Sequence, residues 1–137
     1  MPIARTRTRL FRRLDGSRGA LDYALNPKEP PMLLIRDVFH CKPGKVRPLL
    51  EKFHAMDRLM QAAGMGKSRI LTDFSGERFW TLVSEFEVPS MAEFEKMMAG
   101  EGMSEEDNKA FEKVMEGYHD LIDHGRREIF KIEEPKN

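Results

Sequence analysis

Cysteine is almost missing from this sequence: Cys41 stands alone among 137 residues. No intrachain disulfide can form, so an oxidising compartment is not implied, and no CxxC or Cys/His ligand set exists for a structural metal. Long apolar runs are missing too. None approaches the roughly 18 residues of a membrane-crossing helix, so no membrane span is expected and a soluble, cytoplasmic protein follows as the default. Net charge is also lacking, with 23 basic residues against 23 acidic ones. That balance hides an asymmetry: residues 1–31 sum to +4 and the remaining 106 to −4. A mildly acidic body lacks the basic face of a nucleic-acid-binding domain, so no nucleic-acid partner is expected. The chain contains no phosphate loop and no nucleophile with a paired base, and it implies no metal and no cofactor.

What the chain does contain is charge (34% Asp, Glu, Lys and Arg), ten methionines, and a length that accommodates one domain with a core of its own. The organising stretch is Leu33–Met60, LLIRDVFHCKPGKVRPLLEKFHAMDRLM. Leu33–His40 is an apolar run of strand length. A turn through Lys42-Pro43-Gly44-Lys45 follows, and then apolar residues recur every three or four positions, as in a strand feeding a helix. Pro48 is tolerated only in a first helical turn, since an interior proline costs about 3 kcal/mol. The helix is therefore expected to begin at 44–47, with Pro43 also near its start. Its stripe is Val46, Leu49, Leu50, Phe53, Met56, Leu59, Met60 and Ala63, and Gly64 and Gly66 end it. The methionines on this and later helix stripes read as core packing before they read as a ligand surface.

Further strands are expected over 67–74 and 78–88, joined by Ser75-Gly76 as an antiparallel hairpin. Ser90-Met91-Ala92-Glu93 reads as a capping box for a short helix. Ser104 followed by Glu105, Glu106 and Asp107 opens another helix, running through Phe111, Val114, Met115, Tyr118, Leu121 and Ile122 to a C-terminal Gly125. A last strand is expected over 127–132. The order β-α-β-β-α-β is the ferredoxin-like arrangement: an α+β fold with a four-stranded antiparallel sheet in the order 4-1-3-2 and helices on one face. The strands read as apolar on both parities, so the helix-free face lacks a cover. A second copy of the chain supplies one, and a homodimer or higher assembly is expected.

Residues 1–31 differ from the rest. Five arginines and no acid occupy the first 14 positions, and Pro27, Pro30 and Pro31 set the segment apart. It reads as a basic arm preceding a domain over 32–133, with 134–137 as a polar tail. A flexible arm, an arm docked on a partner subunit, an organelle transit peptide and a phosphate-binding arm all fit its composition.

With its Lys42-Pro43-Gly44-Lys45 turn and the strand Leu82–Glu87, this β-α-β-β-α-β unit resembles the dimeric α+β-barrel superfamily, in particular its NIPSNAP-like and antibiotic-biosynthesis-monooxygenase-like members. The resemblance covers about residues 32–133. It implies two sheets closed face to face into a barrel. Such families include cofactor-free oxygenases, isomerases, haem enzymes and proteins of unknown activity, so no site residue carries over by motif.

Strand parity supplies the candidates. Leu33, Ile35, Asp37 and Phe39 suit the helix-covered face, which turns Leu34, Arg36, Val38 and His40 to the barrel. Trp80, Leu82, Ser84 and Phe86 likewise turn Thr81, Val83 and Glu85 inward. Arg36, His40, Thr81 and Glu85 are the resulting ligand-binding candidates, with Arg36 and Glu85 placed to pair across strands. The same pair is equally a structural ion pair, in which case Arg36→Met alone would strand a buried carboxylate. A one-residue slip in parity would replace Arg36 by Asp37. His119 and His124 are spaced five apart, off the helical ligand spacing, and read as surface residues, with His124 in a last helical turn; His54 reads as a boundary residue. Two function classes follow: a homodimer binding a small, largely apolar molecule in its barrel, with cofactor-free monooxygenase or isomerase-like turnover as its extension, or a non-catalytic assembly module whose sheet face is only a dimer interface.

Overall fold

The structure, a computed structural model, describes residues 32–133; the basic arm and the polar tail expected at the two ends lie outside the described residues. The elements are β1 (Leu33–Cys41), α1 (Val46–Ala62), β2 (Arg69–Thr72), β3 (Thr81–Val88), α2 (Met91–Met98), α3 (Glu105–Met115) and, after a 3-10 turn over Tyr118–Leu121, β4 (Ile122–Lys131). The sheet runs β2-β3-β1-β4 and is antiparallel throughout. This is the expected order read from its other edge.

β1 is the central strand, and its period-2 pattern divides the molecule. Its odd residues face the helices. Cys41 joins Leu82 of β3 and Leu49 and Phe53 of α1 in one buried cluster, and Ile35 joins Val88 and Phe94 in a second. Phe39 packs on Phe53 with ring centroids 5.1 Å apart, and Phe86 stacks on Phe94 at 6.1 Å. Between the clusters, Arg127 of β4 donates two hydrogen bonds to Asp37, 2.6 and 3.1 Å long, and covers the Phe94 ring. An ion pair thus sits on the covered face as well.

The turn into α1 is built as its sequence requires. The Lys45 N–H donates to the Lys42 carbonyl at 2.9 Å, with Pro43 and Gly44 as the central residues. Gly44 has φ +76°, the value a type II turn demands at its third position. α1 begins one residue after Lys45, which leaves Pro43 in the turn and Pro48 in the first helical turn. Ser90 and Ser104 accept hydrogen bonds from the N–H groups of Glu93 and Asp107, capping α2 and α3. Lys52 of α1 caps the other end of α3, donating to the carbonyls of Val114 and Glu116. Among the described residues no helix is long and apolar enough to cross a membrane.

Three expectations are corrected. β3 begins at Thr81, not at 78, because Trp80 has φ +63°, incompatible with a strand; Phe79 is fully at the surface and Trp80 half-exposed. β2 is shorter than expected for the same reason, since the Asp73–Trp80 segment is a loop closed by Asp73 and Thr81. The helix from Ser104 does not reach Ile122: it ends at Met115, Gly117 turns the chain with φ +79°, and β4 begins at Ile122. Tyr118, Leu121 and Ile122 still pack on the Leu49–Phe53 cluster, so their apolar spacing was a core signal rather than a helical one. His124 and Gly125 therefore lie in a strand, not at a helix end.

Candidate functional site

The even residues of β1 face away from the helices, and with their neighbours they form the floor of a concavity of about 360 Å³. The registers Arg36↔Glu85, Val38↔Val83 and His40↔Thr81 put all four candidates on this face. They form two polar groups. Residues 36 and 40 are four apart along one strand, so about 13 Å separates the groups, and Val38, Val83 and Leu71 lie between them on the concavity's wall. The face is thus not the apolar surface expected from strand composition: it alternates charge with aliphatic side chains.

The first group is centred on Glu85, whose side chain is only 5% exposed. Arg36 Nε donates to one carboxylate oxygen at 2.8 Å and Arg69 Nη2 to the other at 2.5 Å. Burial alone would raise the Glu85 carboxyl, but the hydrogen bonds and charges of Arg69 and Arg36 outweigh it and hold the group below its ordinary value. Arg36 also lies over the Phe130 ring at 5.1 Å. With both oxygens occupied by guanidinium donors, Glu85 is a fixed anion rather than an available base. Arg69 was not among the sequence candidates, although the 2-residue period of its strand places it beside Glu85 once the hairpin register is known.

The second group lies where β1 meets β4. Thr81 Oγ1 donates to the Arg78 carbonyl at 3.2 Å, so its oxygen is left to accept from His40 Nδ1 at 3.5 Å. That assigns the proton to Nδ1 and leaves Nε2 as an acceptor, facing Arg126 Nη1 at 3.4 Å. His124, across the strand pair, packs on His40 in a tilted arrangement with centroids 4.6 Å apart, and its Nε2 lies 3.2 Å from Arg78 Nη1. Burial lowers the His40 pKa from its ordinary value, and the charges of His124, Arg78 and Arg126 lower it further, with Glu77 opposing. His40 is therefore a neutral imidazole with a directed acceptor nitrogen.

Sequence reading missed His124, Arg78 and Arg126. The His40–His124 pairing depends on β4 starting at Ile122, and the approach of the two strands there is close: a Cβ on Gly125 would lie 3.0 Å from the Val38 carbonyl oxygen. Cys41, buried on the helix side, is no nucleophile, because burial and the charges of Asp73 and Asp123 push its thiol up. His119 packs on Tyr118 in the 3-10 turn, on a different element from His124. Among the described residues no group of three or more His, Cys, Asp or Glu side chains is disposed to hold a metal ion.

No family model matches the sequence, and no curated protein does. Solved structures do. A NIPSNAP family protein of Agrobacterium tumefaciens aligns with a TM-score of 0.53 at 16% identity, over 72% of this chain and 90% of that one. A second from the same organism, a NIPSNAP family protein with unknown function, gives 0.57 at 16% identity over 77% and 90%. An uncharacterised NIPSNAP-like domain protein of Burkholderia xenovorans gives 0.57 at 11% identity over 77% and 91%. At such identities the likeness is one of fold, and the fold is NIPSNAP-like.

Proposed function

We propose that this NIPSNAP-like chain pairs with a second copy through its helix-free sheet face, and that the resulting barrel binds a small molecule with an apolar body. The observation that carries the reading is the composition of that face. Its centre holds a buried carboxylate between two arginines, and around it Val38, Val83, Leu71 and Phe130 form apolar surface with no helix over it. Leu71 is 39% exposed and Phe130 43%, values that a covering sheet would reduce. Arg126 and Glu128 alternate with these residues, so a two-fold axis can set unlike charges opposite one another. An apolar floor with a few convergent polar groups is the layout of a small-molecule site, and Arg36, His40, Thr81 and Glu85 are its polar groups. If the bound molecule is also turned over, His40 Nε2 is the acceptor placed to take its proton.

A non-catalytic assembly module is the second reading, favoured by the fully engaged Glu85 carboxylate, which behaves as a structural anion. Sedimentation at micromolar concentration tests what both readings share. A species of about twice 15.9 kDa is expected, and Phe130→Glu should convert it to the single-chain mass while the far-UV spectrum is kept. Only a 15.9 kDa species in the unsubstituted protein would overturn the pairing.

A further inference from the structure

The His40 end of the concavity carries an arrangement that pairing does not explain. Two guanidinium groups, from Arg78 in the loop before β3 and Arg126 in β4, point N–H donors at the Nε2 atoms of two imidazoles in tilted contact. An imidazole nitrogen is an uncharged acceptor, a weak partner for a cation that ordinarily takes a carboxylate. Among the described residues Arg78 has no carboxylate within ion-pair distance, and Arg126 has only Glu128, through Nε at 3.8 Å. The donors therefore flank one pair of contacting imidazoles, and Arg78 has no close carboxylate of the chain's own among the described residues.

The geometry points to an oxyanion site here, formed by Arg78, Arg126, His40 and His124, that takes the carboxylate of a small molecule whose apolar body lies along Val38, Val83 and Leu71. A carboxylate bridging the two guanidinium groups replaces their contacts to the imidazoles with charge-assisted hydrogen bonds. It also frees His40 Nε2 to take up a proton and become a third donor. Glu128, Glu77 and Asp73 line the same wall and outnumber the two arginines, so the place offers directed donors rather than net positive charge. Arg36 is on the far side of Val38, committed to Glu85. Directed guanidinium donors without a net positive charge suit a monoanionic carboxylate better than a phosphate dianion. The aliphatic floor leads from this group toward Arg36 and Glu85, which fixes where the rest of the molecule lies.

The inference deepens the ligand-binding reading and uses its concavity, but one protomer supplies every group it needs. Its test titrates the full chain with octanoate, 1-octanol and inorganic phosphate by calorimetry, and follows the His40 and His124 imidazole resonances by NMR. Octanoate should bind at least about tenfold more tightly than either control, since octanol lacks the charge and phosphate the tail. Affinity should rise from about pH 8 to about pH 6, because a bound carboxylate favours the imidazolium form. Arg78→Gln and Arg126→Gln should each weaken octanoate about tenfold by removing a charge-assisted hydrogen bond, with the melting temperature checked in parallel. Octanol or phosphate binding as well as octanoate, or both variants binding like the parent, would overturn the assignment. A single-chain species that still binds octanoate would overturn only the paired barrel. A dimer indifferent to octanoate would overturn only this site.

Discussion

The two faces of the sheet carry the same kind of ion pair in different surroundings. On the covered face Asp37 meets Arg127 between two apolar clusters, under the Phe94 ring. On the open face, one residue earlier, Arg36 meets Glu85 with Arg69 alongside. The covered pair fills a gap between clusters that are complete without it, and its role is packing and register. The open group is the centre of a face with no apolar cluster of comparable burial, since among the described residues Val38 is the one hydrophobic side chain buried there. Apolar burial is therefore concentrated on one face and the polar groups of the proposed site on the other.

The sharpest way to break this contrast is to remove equal volumes from the two faces. Leu49 of α1 is 0% exposed and lies against Leu82 and Phe53. Leu49→Ala should cost about 3–5 kcal/mol, the lost transfer energy plus a cavity that a strand and a helix cannot close. Leu71→Ala, on the open face, should cost under about 1 kcal/mol in the single chain. Urea unfolding of both variants at low protein concentration measures the difference; equal losses would mean that the open face is a second core.

The Glu85 group comes next in size. The sequence led to the expectation that Arg36→Met alone would strand a buried carboxylate. Arg69 changes that, because it holds the other oxygen, so the single variant should lose only about 1 kcal/mol. Arg36→Met with Arg69→Met leaves Glu85 without a cation and should lose about 2–3 kcal/mol, the lower end of the cost of a stranded charge because both arginines are partly solvated. Adding Glu85→Leu should recover most of it. Because the folded Glu85 pKa lies below its unfolded value, its stabilisation is present above the unfolded carboxyl value, about 4.3, and is lost as pH falls through the folded one. The double variant should lose this part of the acid sensitivity. Chemical denaturation of the single, double and triple variants reads all three steps.

Strand parity made much of this legible in advance. A period-2 reading of Leu33–His40 places Arg36 and His40 on one face, and the same reading of the third strand, next to it in the expected order, places Glu85 and Thr81 beside them. What parity cannot see is which third and fourth partners arrive from other strands. Arg69 needed the β2–β3 register. His124 and Arg126 needed the place where the last helix stops, and there Tyr118, Leu121 and Ile122 kept a helical spacing while serving a core through a 3-10 turn. Apolar period reports what a residue is packed against, and it reports backbone conformation only when nothing else supplies the same contacts. Trp80 misled in a similar way: an aromatic next to a strand pattern was counted into the strand, although its backbone turns away at positive φ.

The smallest expected effect separates the faces by their response to mild acid. His40 is the open-face histidine whose folded pKa lies below its ordinary value, through burial and the neighbouring His124, Arg78 and Arg126. The unfolded chain therefore binds this proton more readily than the folded one, and stability is full above the unfolded histidine value, about 6.5. It should drift downward as pH falls from about 7 to about 5. Glu85 and Asp57 do not contribute in that window, because both are held below ordinary carboxyl values and titrate lower. Burial of His40 by a proposed second copy would leave the sign unchanged. Melting temperatures across the window in an anion-free buffer should fall in the parent chain and stay level in His40→Gln. Octanoate should flatten the parent's slope, since a carboxylate beside Nε2 restores the proton that the arginines exclude. A slope that persists in His40→Gln would place the acid-sensitive group elsewhere, and with it the boundary between the stabilising and the recognising face.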